Sequence, residues 1–205
     1  MSKPEVSKAG MSEADMEAYV NHLSKLESAK YKPDMLILRE KDLTEEEYEE
    51  LLKRVWKRLS DSSVEVIPHT FLIAAKNNGI SSIHLPFPLL KKYMESETVG
   101  EASCEKSKSL QRMERIGVSV HSLEEALEAE RLGASYVTAG HIFSTDCKPG
   151  LEPRGLTFLQ KICEEVKIPV YAIGGIHPDN LEKIAQTGAA GACMMSEYMR
   201  AEYTG

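Results

Sequence analysis

Apolar runs of four to six residues alternate with charged, amphipathic stretches along almost the whole chain. The runs are Met35–Leu38, Val64–Ile67, Ser82–Leu85, Ile116–Val120, Tyr136–Ala139, Val170–Ile173 and Ala190–Met195. Several are apolar on both faces, the pattern of strands covered on both sides in a parallel sheet. Between them the spacing turns helical. Thr44 stands before Glu45–Glu47 as a capping signal, and Tyr48, Leu51, Leu52, Val55 and Leu59 follow as an apolar stripe. Ser122 precedes Glu124 and Glu125, then Ala126, Leu127, Ala129 and Leu132, with Gly133 as the stop. Pro178 and Asp179 open a further helix through Leu181, Ile184 and Ala185 to Gly188.

Strand and helix in regular alternation predict an α/β fold with right-handed crossovers. Seven strands are visible, whereas a closed (β/α)8 TIM barrel takes eight. Residues Ser12–Ser28 carry Met16, Tyr19, Val20, Leu23 and Leu26 at helical spacing, but no convincing strand precedes them. The expectation is a single barrel domain over 1–205 with an atypical or missing first strand and a short last helix. Residues 1–33 form its divergent N-terminal segment and 34–199 the regular part. The strand edge left open should be covered by the N-terminal segment or by a partner chain. The polar stretch Glu95–Lys108 reads as a connection.

Composition narrows the function. At 205 residues and 42% hydrophobic the chain supports one well-buried domain. A net charge of −7 argues against nucleic acid as a partner, because phosphate backbones select basic surfaces. Cys104, Cys147, Cys163 and Cys193 make no CxxC pair and no zinc-like spacing, so they read as thiols in a reducing compartment. No apolar stretch nears the ~18 residues of a membrane span, and the first ten residues lack the apolar core of a secretory signal. The expected location is the cytoplasm.

Polar residues gather where strands end. Arg39-Glu40-Lys41, His69-Thr70, His121-Ser122, His141 with its loop GHIFSTDCKPGLEPRG, Gly174-Gly175 and Ser196-Glu197 all follow apolar runs. The opposite ends are blander: Lys32-Pro33-Asp34, Gly79, Gly133-Ala134 and Lys167-Ile168-Pro169. In a parallel barrel the loops after the strands build the site. Gly174 and Gly175 can bring backbone N–H groups to an oxyanion. Ser196 would open a short helix whose N-terminus attracts negative charge. Loops from the last two strands are the usual barrel phosphate site.

The motifs ILREKDLTEEEYEELL, IGVSVHSLEEALEAERLGASYV, GHIFSTDCKPGLEPRG, IPVYAIGGI and GAAGACMMS resemble the thiamine phosphate synthase/TenI superfamily over about four-fifths of the chain. The resemblance implies a (β/α)8 barrel acting on phosphorylated thiazole or pyrimidine precursors of thiamine. Its synthase branch joins a pyrimidine diphosphate to a thiazole phosphate with Mg2+ and a polar Asn-Asp-Arg-type stretch, where this chain has His69-Thr70-Phe71. The loop with His141 is closer to the TenI branch, which aromatises a carboxythiazole phosphate by proton transfer on that His. A tautomerisation needs one placed acid/base, and an imidazole with an unperturbed pKa of about 6.5 suits it.

The leading expectation is therefore a thiazole tautomerase with His141 as catalyst, no cofactor and no metal. The alternatives are thiamine phosphate synthase itself, the one case calling for Mg2+, or a silent TenI-like regulatory binding protein. The partner is a small phosphorylated thiazole, without nucleic acid or membrane, and a homodimer is allowed. Substrate or phosphate contacts are expected from Arg39, Lys41, Thr145, Lys148, Gly174, Gly175 and Ser196. Each has a plainer reading: Arg39 and Lys41 pairing with the helix behind them, Lys148 facing solvent, Thr145 forming a turn, His141 bonding the loop backbone. His22, His84 and Arg154 read as structural, His121 as capping support and His177 as a turn start. Cys147 shows no activating base, the acidic run Glu45–Glu50 reads as a solvated helix face, and Met194 and Met195 read as core.

Overall fold

The computed structural model describes residues 11–95, 101–146, 148 and 150–199, with the backbone alone for 101–105. Seven strands form where the apolar runs lie: β1 Met35–Leu38, β2 Glu65–Pro68, β3 Ser82–Pro86, β4 Arg115–Val120, β5 Tyr136–Gly140, β6 Val170–Ile173 and β7 Gly191–Cys193. The helices are α1 Glu13–Ser24, α2 Glu45–Leu59, α3 Leu72–Asn77, α4 Phe87–Glu95, α5 Glu101–Leu110, α6 Leu123–Arg131, α7 Gly155–Glu165 and α8 Leu181–Ala185, with short 3-10 turns at Lys25–Ser28 and Pro178–Asn180. The result is an α/β fold with parallel pairing, in a two-stranded sheet β1-β2 and a five-stranded sheet β3-β4-β5-β6-β7. Contacts cluster into two compact units, one of residues 1–83 with 195–205 and one of residues 84–194.

In the first unit α2 forms because its start is capped and one face is apolar. The Thr44 hydroxyl accepts from Glu47 N–H at 3.2 Å while the Glu47 carboxylate accepts from Thr44 N–H at 2.8 Å, satisfying two otherwise orphaned donors. Tyr48, Leu51, Leu52 and Val55 are at most 1% exposed, each contributing roughly 1.5–3 kcal/mol by burial. Helix α1 packs on α2 and is tied to it by Arg54, 2.6 Å from Glu13 and 2.7 Å from Glu50. Strands β1 and β2 pair from Met35↔Glu65 to Leu38↔Pro68. The buried Tyr48 hydroxyl donates to Leu38 O at 2.7 Å and accepts from His69 N–H at 3.0 Å, joining the ends of both strands.

In the second unit one sheet face carries Val118, Val120, Val137, Ala139, Val170 and Ala172, at most 4% exposed, with α4, α6 and α7 in contact with the strands. The other face carries Gly117, Ser119, Tyr136, Thr138, Tyr171 and Ile173, a far more polar set.

Three expectations are corrected. The stretch Glu95–Lys108 contains helix α5, held where the Ser107 hydroxyl donates to Tyr93 O at 2.6 Å; residues 96–100 lie outside the description. The short last helix is, among the described residues, a turn over 195–199 closed by Met199 N–H to Met195 O at 3.2 Å. Met195, expected in the core, is 61% exposed because it stands past the strand end at the start of that turn; Met194 is half-buried. No helix among the described residues is long and apolar enough to cross a membrane.

Tyr48→Phe should cost about 0.5–1.5 kcal/mol in urea unfolding, since it removes the hydroxyl's two bonds while the direct His69 N–H to Leu38 O bond at 3.2 Å remains. A loss below ~0.5 kcal/mol would mean that neither group depends on the hydroxyl.

Candidate active site

The loop after β5 lies over the loop after β6, and this contact assembles the candidate site of the second unit. Ile142 N–H donates to Ile173 O and Phe143 N–H to Gly174 O, both at 3.0 Å, so the chain continues to track β6 beyond the sheet. Gly174 adopts φ +97° and Gly175 φ +64°, a region L side chains rarely enter. A Cβ on Gly174 would collide with the side chain of His141 and come within 2.8 Å of its Cα. One on Gly175 would meet Ser144 O and, at 2.8 Å, Phe143 O. The glycines are therefore required by the loop that crosses them. Among the described residues no protein acceptor takes their N–H groups, which leaves those donors for an oxyanion.

His141 is 6% exposed and its Nε2 lies 3.3 Å from Leu151 O. A carbonyl only accepts, so Nε2 carries the proton and Nδ1 keeps a lone pair. The plainer reading of His141, bonding the loop backbone, is what the structure shows. The loop is pinned further by Arg154 N–H to His141 O at 3.0 Å and Gly155 N–H to Ile142 O at 3.1 Å, while the Arg154 guanidinium lies 5.2 Å from the Phe158 ring centre. Arg154 is structural, as expected. Thr145 O accepts from Lys148 N–H at 3.1 Å, placing both in one turn, each half-buried. Lys148 makes no ion pair among the described residues, so its ammonium can meet a substrate anion. Cys147 lies outside the described residues.

A polar network on the more polar sheet face escaped the sequence reading. His84 Nδ1 lies 3.1 Å from the Tyr136 hydroxyl and Nε2 2.8 Å from Ser119 Oγ, while Thr138 Oγ1 donates to Ser119 Oγ at 3.2 Å. With the proton on Nε2, Ser119 Oγ accepts twice and its own hydrogen is left to donate. Ser119 is half-buried where His84 and Thr138 are almost fully buried, so this hydroxyl is the exposed tip of the network. The legible signal was a His, a Ser and a Thr in three strands that are otherwise apolar. His84 is thus structural as read, with a chemical consequence. His121 Nδ1 lies 2.8 Å from Gly140 O, and its N–H donates to Glu125 at 2.6 Å, supporting the helix that Ser122 caps. His177 caps the turn at Pro178.

Arg39, Lys41 and Ser196 belong to the first unit. Arg39 is exposed at the end of β1. Lys41 lies 3.9 Å from its neighbour Asp42 in an exposed pair, worth little in water, and not against the helix behind. Ser196 is exposed on the 195–199 turn. Among the described residues Ser196 stands on a turn, and what it offers there is its own hydroxyl and backbone. His69 is pushed down to about 4, first by burial and then by the Arg39 charge, so it is a neutral imidazole at pH 7, bonded to Thr70 Oγ1 at 2.7 Å. Thr70 holds φ +72°, a strained conformation for a β-branched residue.

A magnesium site needs clustered oxygen ligands, carboxylates above all. Among the described residues no group of three or more His, Cys, Asp or Glu side chains is placed to hold a metal. After β2 stand a neutral imidazole and a hydroxyl, and the buried Glu40 carboxylate is engaged by the Tyr19 hydroxyl at 2.8 Å. The residues present do not fit that ion. Cys193 offers no nucleophile, since burial pushes its thiol up to about 12.

The chain matches the family model described as thiamine monophosphate synthase over residues 10–198. It is 33% identical to a thiamine-phosphate synthase from Syntrophomonas wolfei over 173 residues, 82% of this chain and 75% of that protein. A synthase from Pyrococcus furiosus is 53% identical over 87 residues, and this match spans only 42% of either protein. A solved structure of thiamine phosphate pyrophosphorylase from Pyrococcus furiosus superposes with a TM-score of 0.72 at 30% identity, covering 94% of this chain and 86% of the other.

Because His69 binds its proton more weakly folded than unfolded, the unfolded state takes up more protons between pH 6.5 and 4. Stability should therefore fall as pH drops through that window, by up to about 3 kcal/mol. Urea unfolding of wild type and His69→Gln at pH 7 and pH 4.5 should show the smaller drop in the variant; equal drops would show that His69 titrates normally.

Proposed function

This chain belongs to the thiamine monophosphate synthase family, and from that premise we propose that it is an enzyme of thiamine biosynthesis that acts on a thiazole phosphate. Of the reactions open to such an enzyme, the synthase reaction has the stronger support: joining a pyrimidine diphosphate to the thiazole phosphate with release of diphosphate. The observation that carries it is the 33% identity to a thiamine-phosphate synthase over four-fifths of the chain. In this reading Gly174 and Gly175 N–H and the Lys148 ammonium bind anionic oxygens, Thr145 lines the same turn, and Ser119 donates to a heterocycle acceptor. Taken by itself, the first unit offers Arg39, Lys41 and the Ser196 hydroxyl, groups of the kind that meet a phosphate or diphosphate, and no step is assigned to a metal, because the donor set does not fit one. Holding two substrates in line is itself the main catalytic device for such a transfer.

A second reading has its own observation. His141 lies against the glycine turn with Nε2 engaged by the Leu151 carbonyl, and in this reading its Nδ1 is the one group needed to move a proton from carbon during aromatisation of a carboxythiazole phosphate. The carbon gives its proton to Nδ1, and a second ring position receives one in return.

The two readings separate in one set of assays. Purified protein given the pyrimidine diphosphate and thiazole phosphate should form thiamine phosphate and diphosphate, and Lys148→Ala should raise KM for the thiazole phosphate by roughly 10-fold or more, the loss of a charged hydrogen bond. The second reading instead expects aromatisation of the exocyclic-alkene thiazole carboxylate phosphate, unaffected by EDTA and reduced ~10²–10⁴-fold in His141→Ala. Absence of both products would overturn both.

A further inference from the structure

We propose that Tyr171 is a specificity-determining residue whose hydroxyl donates to a ring nitrogen of the pyrimidine substrate, an inference that rests on the synthase reading above. Parallel pairing sets Ser119, Thr138, Tyr171 and Gly191 side by side, one each from β4, β5, β6 and β7 of the second unit. Neighbours in such a row face the same way, so Tyr171 shares the more polar sheet face with Ser119. Glycines make the space for aromatic rings on this face. A Cβ at Gly191 would stand 3.0 Å from Cδ1 of Tyr171, and one at Gly117 would collide with the Tyr136 ring.

The two tyrosine rings brace each other. Tyr136 is 1% exposed, held by its hydroxyl at His84 and by the Arg115 guanidinium 5.1 Å from its ring centre. Tyr171 meets it edge-on, with centres 5.5 Å apart and planes at 89°, a geometry that the ring quadrupoles favour. A half-buried ring packed in this way has its direction set before a ligand arrives, which lowers the cost of binding.

The Tyr171 hydroxyl is not used by the fold. Among the described residues no donor or acceptor meets it, and no buried side-chain oxygen or nitrogen lacks a partner, so the phenol tip is accessible. A phenol can donate as well as accept. Two strands away in the same row, Ser119 keeps its own hydrogen to donate, because its oxygen accepts from His84 Nε2 and from Thr138. Adjacent strands lie about 4.8 Å apart, which sets the two Cα atoms roughly 9.6 Å apart, room for one six-membered ring with a hydrogen bond on each side. A pyrimidine carries two ring nitrogens that accept, whereas a thiazole carries one. Two hydroxyl donors in one row therefore match the pyrimidine, and Ile173, next on this face and 37% exposed, offers the ring an apolar contact.

The test is titration calorimetry on the whole protein with the pyrimidine diphosphate, inorganic diphosphate and the thiazole phosphate. Tyr171→Phe keeps the ring and should weaken the pyrimidine diphosphate about 3–10-fold, the worth of one hydrogen bond, while the other two ligands stay within about 2-fold. The two pyridine analogues, each lacking one ring nitrogen, supply the specificity readout. Wild type should bind each of them about 3–10-fold more weakly than the pyrimidine, and in Tyr171→Phe one of them should match it. Unchanged pyrimidine binding in Tyr171→Phe, or an equal loss for inorganic diphosphate, would show the assignment of Tyr171 to be wrong while the synthase reading stands on its own turnover. A wild type that forms no thiamine phosphate and does not bind the pyrimidine diphosphate would overturn both.

Discussion

The packing of His141 against Gly174 is the constraint from which the candidate site follows. β5 and β6 are paired in parallel, and Gly140 stands opposite Ile173 where the pairing ends. The chain then crosses its neighbour so closely that no side chain fits at 174 or 175. The crossing does two things at once. It buries the His141 ring and bonds one of its nitrogens to the loop carbonyl, and it leaves two consecutive glycine N–H groups with no protein acceptor among the described residues. The groups proposed above as base and anion cradle thus share one backbone contact.

Much of this was legible in the sequence because strands buried on both faces cannot avoid long apolar runs. All seven runs became strands, with ends shifted by at most two or three residues. Thr44 and Ser122 cap as their spacing indicated. What was not legible depends on three-dimensional register. Ser119 and Thr138 lie opposite each other only because β4 and β5 pair as they do, and no local pattern announces that. The glycines at 174 and 175 read as donors for phosphate; that they are demanded by the loop over them needed the coordinates. Met195 read as core because apolar residues usually are, yet it lies beyond the last strand. Helix α5 hid in a polar stretch whose only buried residues in view are small or near its end, Ser107, Ser109 and Leu110.

The residues at the end of β2 differ from the acidic stretch that the synthase resemblance implies for holding magnesium. A metal and its acidic ligands bring opposite charges, so losing both leaves a site's net charge nearly unchanged. At the end of β2 the chain has a neutral imidazole and a hydroxyl, and Arg39 lies close enough to His69 to oppose its protonation. The cation beside it is the Arg39 guanidinium. The second unit, by contrast, carries the glycine turn, Thr145 and Lys148 that the sequence offered as substrate or phosphate contacts. The chain is therefore most complete where it would bind the thiazole.

The central claim is that the loop crossing leaves His141 with its proton on Nε2 and a free lone pair on Nδ1. Nitrogen-15 NMR of histidine-labelled protein reads the tautomer directly, with His141→Gln assigning the signal. The account predicts the Nε2–H tautomer at pH 7.5, with Nδ1 shifting when thiazole phosphate is added. A proton resident on Nδ1, or an imidazole exchanging freely between tautomers, would contradict the geometry on which the site is built.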